Sequence, residues 1–137
     1  MTQINNRATM PSVRLPMRDG EGAVLMRDWM VCVRGRWFIV PAYTETDGAS
    51  IPRALWRVCG HPLQYPRVFA ALLHDWLYGG GGRDECPTRA EADAVYRDLL
   101  IALGWGKVKS YTEYYALRIF GGSHWTAANK NQKEKSK

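Results

Sequence analysis

The sequence has no apolar run long enough to cross a membrane and no C-x-x-C pair of cysteines. A transmembrane helix needs about 18 consecutive apolar residues, so we expect no membrane span. The three cysteines, Cys32, Cys59 and Cys86, are an odd number and lie far apart. This spacing argues against a disulfide framework and a zinc knuckle, and it favours reduced thiols in a cytoplasmic setting.

Signals of several familiar functions are also missing. The first residues, MTQINNRATMPSVRLPM, lack the apolar core of a signal peptide. The glycines at 79–82 are not followed by the Gly-Lys-Ser/Thr of a P-loop. Ser50 does not lie in a G-x-S-x-G elbow, so a nucleophilic serine is not predicted. The basic charge comes with no nucleic-acid recognition motif, so we do not expect nucleic acid as the partner.

The residues that are present suit a single small domain. The 137 residues are 46% hydrophobic and include six tryptophans and seven tyrosines, which can fill a core or form a binding surface. The formal net charge is +6, and the tail NKNQKEKSK, with four lysines and one glutamate, supplies half of it. We predict a loosely ordered N-terminal segment over residues 1–20, one domain over 21–125 and a disordered basic tail over 126–137.

The order of the predicted elements indicates an α+β fold. Two β-rich runs, GAVLMRDWMVCV and RWFIVPAY, flank Arg34-Gly35 and predict a hairpin. Three main helices should follow, and the first two of them should be antiparallel because a short glycine-rich connection joins them. We predict these helices over Pro66–Tyr78, from a capping box at Thr88–Glu91 to about Leu103, and from a capping box at Ser110–Glu113 to about Phe120. A short helix capped by Ser50 and running through Trp56 should precede them.

The stretch LLHDWLYGGGG places titratable residues inside an apolar helix. His74 and Tyr78 are four residues apart and share a helix face, with Asp75 beside them. A histidine near neutral pKa can take a proton from water, and an adjacent aspartate can bind a hard cation such as calcium. The alternative is that the His–Asp pair only makes structural hydrogen bonds.

Asp93 lies early in the next predicted helix, where it should face His74 and Tyr78. A carboxylate that accepts a hydrogen bond from a histidine fixes its tautomer and raises its basicity. We therefore predict a catalytic set of His74, Tyr78 and Asp93. The alternative for Asp93 is an acid in the first turn of a helix, favoured by the helix dipole.

The loop TDGASIP can add groups to the same site. We predict Asp75 and Asp47 as ligands of Ca²⁺ or another divalent cation, and Ser50 and Trp76 as substrate-binding residues. The alternatives are that Asp47 belongs to an Asp-Gly turn and that Ser50 only caps the following helix.

The ordered motifs TDGASIPRALW, HDWLY, RAEAD and RIFGG resemble a phage and prophage family defined as the domain of unknown function number 1353. The resemblance covers roughly Ala42 to Trp125. It implies a phage or prophage origin, and with it a location in the bacterial host cytoplasm or in the virion. It supplies no activity.

A second, more distant resemblance is chemical. The arrangement H-D-x-x-Y followed by a later aspartate is similar to the catalytic helices of phospholipases of the A-two type. The resemblance implies that His74 activates water, that Asp75 binds calcium, and that Tyr78 and Asp93 support the histidine. Those enzymes also have a glycine-rich calcium loop and disulfides near the histidine, which this chain lacks, so TDGAS would have to replace that loop.

Two functional hypotheses follow from these residues. The first is a small phage-derived hydrolase with a metal-assisted His–Asp site, phospholipase-like and acting on membrane lipid. The second is a non-enzymatic phage structural or accessory protein, such as a tail or assembly factor or an inhibitor of a host system, in which the polar cluster specifies the fold. Its partner would then be a phage or host protein.

Overall fold

The computed structural model describes residues 12–16, 21–48 and 52–125. Apart from residues 12–16, the segment 1–20 and the tail 126–137 therefore lie outside the described residues. The strands are β1 (Val13–Arg14), β2 (Ala23–Leu25), β3 (Trp29–Val33), β4 (Arg36–Val40) and β5 (Glu45–Thr46). The helices are α1 (Arg53–Cys59), α2 (Val68–Tyr78), α3 (Arg89–Ala102) and α4 (Lys107–Phe120). Strands followed by helices confirm the predicted α+β class.

The predicted hairpin is formed by β3 and β4, which pair antiparallel from Trp29 opposite Val40 to Val33 opposite Arg36. Arg34 and Gly35 both have positive φ angles, 56° and 76°. Two consecutive residues with positive φ form the tight turn whose twist matches that of paired strands. The turn at Arg34-Gly35 is therefore confirmed.

A second sheet was not predicted. Its strand order is β1-β2-β5, with β2 antiparallel to both neighbours. The run from Gly22 to Val33 contains β2, in this sheet, and β3, in the hairpin. Asp28 lies between these two strands, and its carboxylate accepts a hydrogen bond from the Ala42 backbone N–H at 2.7 Å. A single apolar run in the sequence therefore supplies one strand to each sheet.

The Thr88 cap of α3 is confirmed, because its hydroxyl accepts a hydrogen bond from the Glu91 backbone N–H at 3.2 Å. The other predicted starts need correction or fall outside the description. Helix α2 begins at Val68, after a turn that contains Pro66. Helix α1 begins after Pro52, and its predicted cap Ser50 lies outside the described residues.

The predicted capping box at Ser110–Glu113 is wrong. Helix α4 begins three residues earlier, at Lys107, so Ser110 lies inside it. Its hydroxyl donates a hydrogen bond to the Gly106 carbonyl at 2.7 Å, and the Glu113 carboxylate forms a buried ion pair with Arg67. Both side chains that the sequence pattern assigns to a helix start therefore serve other contacts.

The helices and sheets enclose one apolar core, and this core positions the polar residues. Tyr78, at the end of α2, contacts Asp93 near the start of α3, and His74 lies beside Tyr96 further along α3. The later residue on α2 contacts the earlier residue on α3, so α2 and α3 are antiparallel, as predicted. No helix in the described part of the chain is long and apolar enough to cross a bilayer.

The glycine turn between α2 and α3 packs against the helix that precedes it. A Cβ on Gly81 would come within 2.1 Å of the Trp76 ring, which is far inside van der Waals contact. Gly82 has a φ of +62° and also lies close to that ring. Glycine is required here because the backbone approaches the indole directly and because the turn uses left-handed φ angles.

Candidate functional site

A buried polar cluster lies where α2 crosses α3. His74 and Tyr78, one turn apart on α2, both point at Asp93 on α3. The His74 Nε2–H donates to Asp93 Oδ1 at 3.0 Å, and the Tyr78 hydroxyl donates to the same oxygen at 2.6 Å. His74 is only 1% exposed and Asp93 is fully buried. The structure thus brings together the three residues predicted as the catalytic set.

The second oxygen of Asp93 is bound from α4. Arg118 Nη1 donates to Asp93 Oδ2 at 3.0 Å, and Arg89 Nη1 lies 3.9 Å from the same oxygen. Burial alone would raise the pKa of Asp93, but the hydrogen bonds from His74, Tyr78 and Arg118 hold this pKa below its usual value. Asp93 is therefore an ionised carboxylate with donors on both oxygens.

His74 lies between two carboxylates and two aromatic rings. Its ring centroid is 4.1 Å from that of Tyr78 and 5.0 Å from that of Tyr96. Burial lowers the pKa of His74, but the carboxylates of Asp75 and Asp93 outweigh it, so the pKa lies above 6.5. With Nε2 donating to Asp93, Nδ1 is the ring nitrogen that can accept a proton.

Asp75 connects this cluster to the solvent side of the molecule. Its Oδ1 is 3.8 Å from His74 Nδ1, and its side chain is 22% exposed. Its Oδ2 accepts a hydrogen bond from the Thr46 hydroxyl, which in turn accepts one from the Gly48 backbone N–H at 3.2 Å. The start of the TDGASIP loop therefore contacts the predicted site through Thr46.

The remaining predicted residues are less closely associated with His74. Asp47 follows Thr46 and is exposed, while Ser50 lies outside the described residues. Trp76 is about 200° around α2 from His74 at 100° per residue, and it lines a separate open groove with Met30, Trp37 and Ile39. Within residues 12–16, 21–48 and 52–125, no group of three or more His, Cys, Asp or Glu side chains is arranged to hold a metal ion.

A second group of buried charged residues contacts Tyr96, and the sequence patterns did not predict it. The Tyr96 hydroxyl donates to Glu113 Oε1 at 3.0 Å. Glu113 pairs with Arg67, which also donates to the Gly60 carbonyl, and both charged side chains are fully inaccessible. Burial raises the pKa of Tyr96 to about 12. Because Tyr96 contacts both His74 and Glu113, it connects the two buried polar groups.

The sequence contained signals for some of these missed residues. Glu113 is the one acid among Ser110, Glu113 and Leu117, which share a helix face, and an acid on a buried face needs a cationic partner. Arg89 lies four residues before Asp93, a spacing that brings side chains together on a helix. The contact of Arg118 with Asp93 depends on how α4 packs against α3, which no local pattern shows.

These features define a small α+β protein with a buried His–Asp–Tyr cluster. The chain matches the family described as Protein of unknown function (DUF1353) over residues 23–117. This match covers more than half of the chain, which therefore belongs to that family. The matched range contains His74, Asp75, Tyr78 and Asp93, and it ends one residue before Arg118.

Two curated proteins of Sinorhizobium fredii (strain NBRC 101917 / NGR234) are similar in sequence. Uncharacterized protein y4iH is 37% identical over 78 residues, which cover 57% of this chain and 31% of the relative. Uncharacterized protein y4jT is 29% identical over 98 residues, which cover 66% of this chain and 26% of the relative. The chain thus spans less than a third of either relative's length. No solved structure matches the chain.

Proposed function

We propose that the protein is a hydrolase in which His74 activates a water molecule. The observation that supports the proposal is the pair of contacts on Asp93 Oδ1, from His74 Nε2 at 3.0 Å and from the Tyr78 hydroxyl at 2.6 Å. A base of this kind needs one nitrogen held by a carboxylate and the other directed toward the reacting water. In the proposed reaction that second nitrogen is Nδ1, which lies 3.8 Å from Oδ1 of the partly exposed Asp75.

The proposed reaction uses this orientation in two proton transfers. Neutral His74 takes a proton from water at Nδ1, and the hydroxide attacks the carbonyl carbon of an ester. The imidazolium then returns that proton to the leaving alkoxide oxygen as the carbon–oxygen bond breaks. Asp93 stabilises the imidazolium through Nε2, while Tyr78 and Arg118 keep Asp93 ionised and in place.

The substrate class in this proposal is a carboxylic ester of a membrane phospholipid, following the resemblance of the H-D-x-x-Y arrangement to phospholipases of the A-two type. The described residues do not form a complete cation site, because Asp75 uses one oxygen for Thr46 and no three-ligand cluster is present among them. We therefore derive no step through a cation. Calcium binding by Asp75 and Asp47 stays a prediction, as does the phage or prophage origin.

Hydrolysis of phospholipid vesicles and of a soluble ester by the purified protein tests the proposal. We expect the wild-type protein to be active and His74→Gln to lose this activity. Asp98→Asn, which removes a partly exposed ion pair on α3, should retain the activity. Asp93→Asn should also lose activity, with the fold checked by circular dichroism. Activity that persists in folded His74→Gln, or a wild-type protein inactive on both substrates with and without calcium, would contradict the proposal.

The burial of His74 supports a second candidate, a non-enzymatic phage structural or accessory protein. In that case the cluster specifies how α2, α3 and α4 pack, because a satisfied buried polar network favours one arrangement of its helices. Loss of stability in the His74 and Asp93 variants, together with a wild-type protein that has no esterase activity, would favour this role over catalysis.

A further inference from the structure

The outward face of α4 is apolar along its centre. Its buried residues, Ser110, Glu113 and Leu117, lie on one side of the helix. On the opposite side Val108, Tyr115 and Ile119 are 83%, 59% and 72% exposed. At 100° per residue these three lie within about 40° of one another, and we refer to them as the apolar stripe. Isolated exposed apolar residues are ordinary, but an aligned set on a solvent face indicates a contact surface.

The apolar stripe is flanked by positive charge. Lys107 and Lys109 are exposed at the first turn of α4. The one acidic residue of the helix, Glu113, is buried against Arg67 and offers no charge to the outside. The outward face is therefore apolar at its centre and cationic at its edge. In the sequence after Trp125, four further lysines and one glutamate add to the positive charge.

We infer that this face docks onto the surface of an anionic lipid bilayer. The apolar stripe would enter the boundary between headgroups and acyl chains, while the lysines reach the phosphates. Tyrosine is common at this depth because its ring is apolar and its hydroxyl is polar, and Tyr115 of the apolar stripe is 59% exposed. This binding does not depend on the hydrolase proposal.

Two other occupants fit the face less well. A second copy of the chain would bring lysines against lysines, and like charges at an interface disfavour association. A nucleic acid would satisfy the lysines but leave Val108 and Ile119 without an apolar partner. A bilayer with anionic headgroups provides both chemistries on one surface.

Co-sedimentation with vesicles tests the inference. The full chain is mixed with vesicles of phosphatidylcholine, and with vesicles made of equal parts of phosphatidylcholine and phosphatidylglycerol. We expect binding to the mixed vesicles, weak binding to pure phosphatidylcholine, and loss of binding as salt screens the lysines. Equal binding to both vesicles at every salt concentration would overturn the inference.

Two double variants separate the apolar and the cationic contributions. Lys107→Gln with Lys109→Gln should lower the partition coefficient about 25-fold, because each lysine near an anionic surface contributes a factor of about five. Val108→Ser with Ile119→Ser should lower it by more than about tenfold, because each buried CH₂ group contributes a factor of about four and several are lost. Both pairs are exposed, so thermal melts should match the wild type.

Ile39→Ser is the matched control, since Ile39 is 61% exposed on the hairpin, away from α4. We expect this variant to bind vesicles as the wild type does. A loss equal to that of the α4 variants would overturn the inference. Self-association without vesicles that the Val108/Ile119 variant abolishes would assign the face to a second copy and would also overturn it. Hydrolysis of a soluble ester, measured separately, shows whether the hydrolase proposal fails independently.

Discussion

Replacing Asp93 with asparagine removes a charge that three side chains from two helices contact. His74 and Tyr78 donate to Oδ1, and Arg118 donates to Oδ2. An asparagine has one acceptor oxygen, so in either orientation its NH₂ group faces a donor. If the amide oxygen replaces Oδ1, Arg118 loses its acceptor; if it replaces Oδ2, His74 and Tyr78 lose theirs.

The expected destabilisation is large because the site is buried. Removing one partner of a buried charged pair costs about 3–5 kcal/mol. This cost is larger than the contribution of one hydrogen bond to a charged group, which is about 1.5–3 kcal/mol. A chain of this size loses roughly 4 °C of Tm per kcal/mol. Asp93→Asn should therefore lower Tm by roughly 12–20 °C, measured by thermal unfolding at neutral pH.

Asp98→Asn is the control on the same helix. Its carboxylate pairs with Arg34 at 2.9 Å and with Arg97 at 3.0 Å, and all three side chains are partly exposed. Exposed pairs contribute about 0.2–1 kcal/mol, so Tm should fall by only a few degrees. A Tm for Asp93→Asn within error of Asp98→Asn would refute the argument that the Asp93 cluster stabilises the helix packing.

The pH dependence provides a further check on Asp93. Its pKa in the folded state is below the usual value of 3.8, so ionised Asp93 stabilises the fold above that pH. This contribution is lost as pH falls through the folded-state pKa. The stability difference between wild type and Asp93→Asn should therefore be full at neutral pH and shrink in acid. A difference that is constant down to acidic pH would contradict the assigned ionisation.

Three further predictions concern other groups. The pKa of His74 is raised above 6.5, so protonated His74 stabilises the fold fully below pH 6.5, and this stabilisation declines as pH rises through the folded-state pKa. In denaturant titrations the difference in unfolding free energy between wild type and His74→Gln should therefore narrow with increasing pH. A difference that widens would be inconsistent with the raised pKa. Glu113→Leu alone should lower the free energy of unfolding by about 3–5 kcal/mol because it leaves the buried Arg67 without its carboxylate, and adding Arg67→Met should restore much of that loss. A double variant less stable than Glu113→Leu would show that the ion pair itself stabilises the fold. Calcium should raise the Tm of the wild type but not of Asp75→Asn, since a ligand that binds the native state stabilises it, and an unchanged wild-type Tm would exclude the calcium prediction.

Local sequence patterns predicted the parts of the fold that local chemistry determines. The Arg34-Gly35 turn depends on two residues with positive φ, and the Thr88 cap depends on residues three apart. The convergence of His74, Tyr78 and Asp93 could also be predicted, because a helical repeat and a short glycine turn are enough to bring α2 against α3.

The parts that could not be predicted depend on packing between distant elements. The Ser110–Glu113 spacing matches a capping box, but burial of Glu113 against Arg67 leaves that acid no access to a helix start. Strands β1 and β5 are two residues each, too short for an alternating pattern. Arg118 contributes to the site only because α4 packs against α3.

The end of α4 is joined to the polar cluster by two arginines, Arg89 and Arg118. Arg89 Nη1 donates to the Leu117 carbonyl at 2.9 Å and Nη2 donates to the Arg118 carbonyl at 3.1 Å. The Arg118 side chain in turn contacts Asp93. Thermodynamic linkage between these contacts is reciprocal. A ligand on α4 that displaces its last turn would change the proton affinity of His74, and protonation of His74 would change the affinity of α4 for that ligand by the same factor.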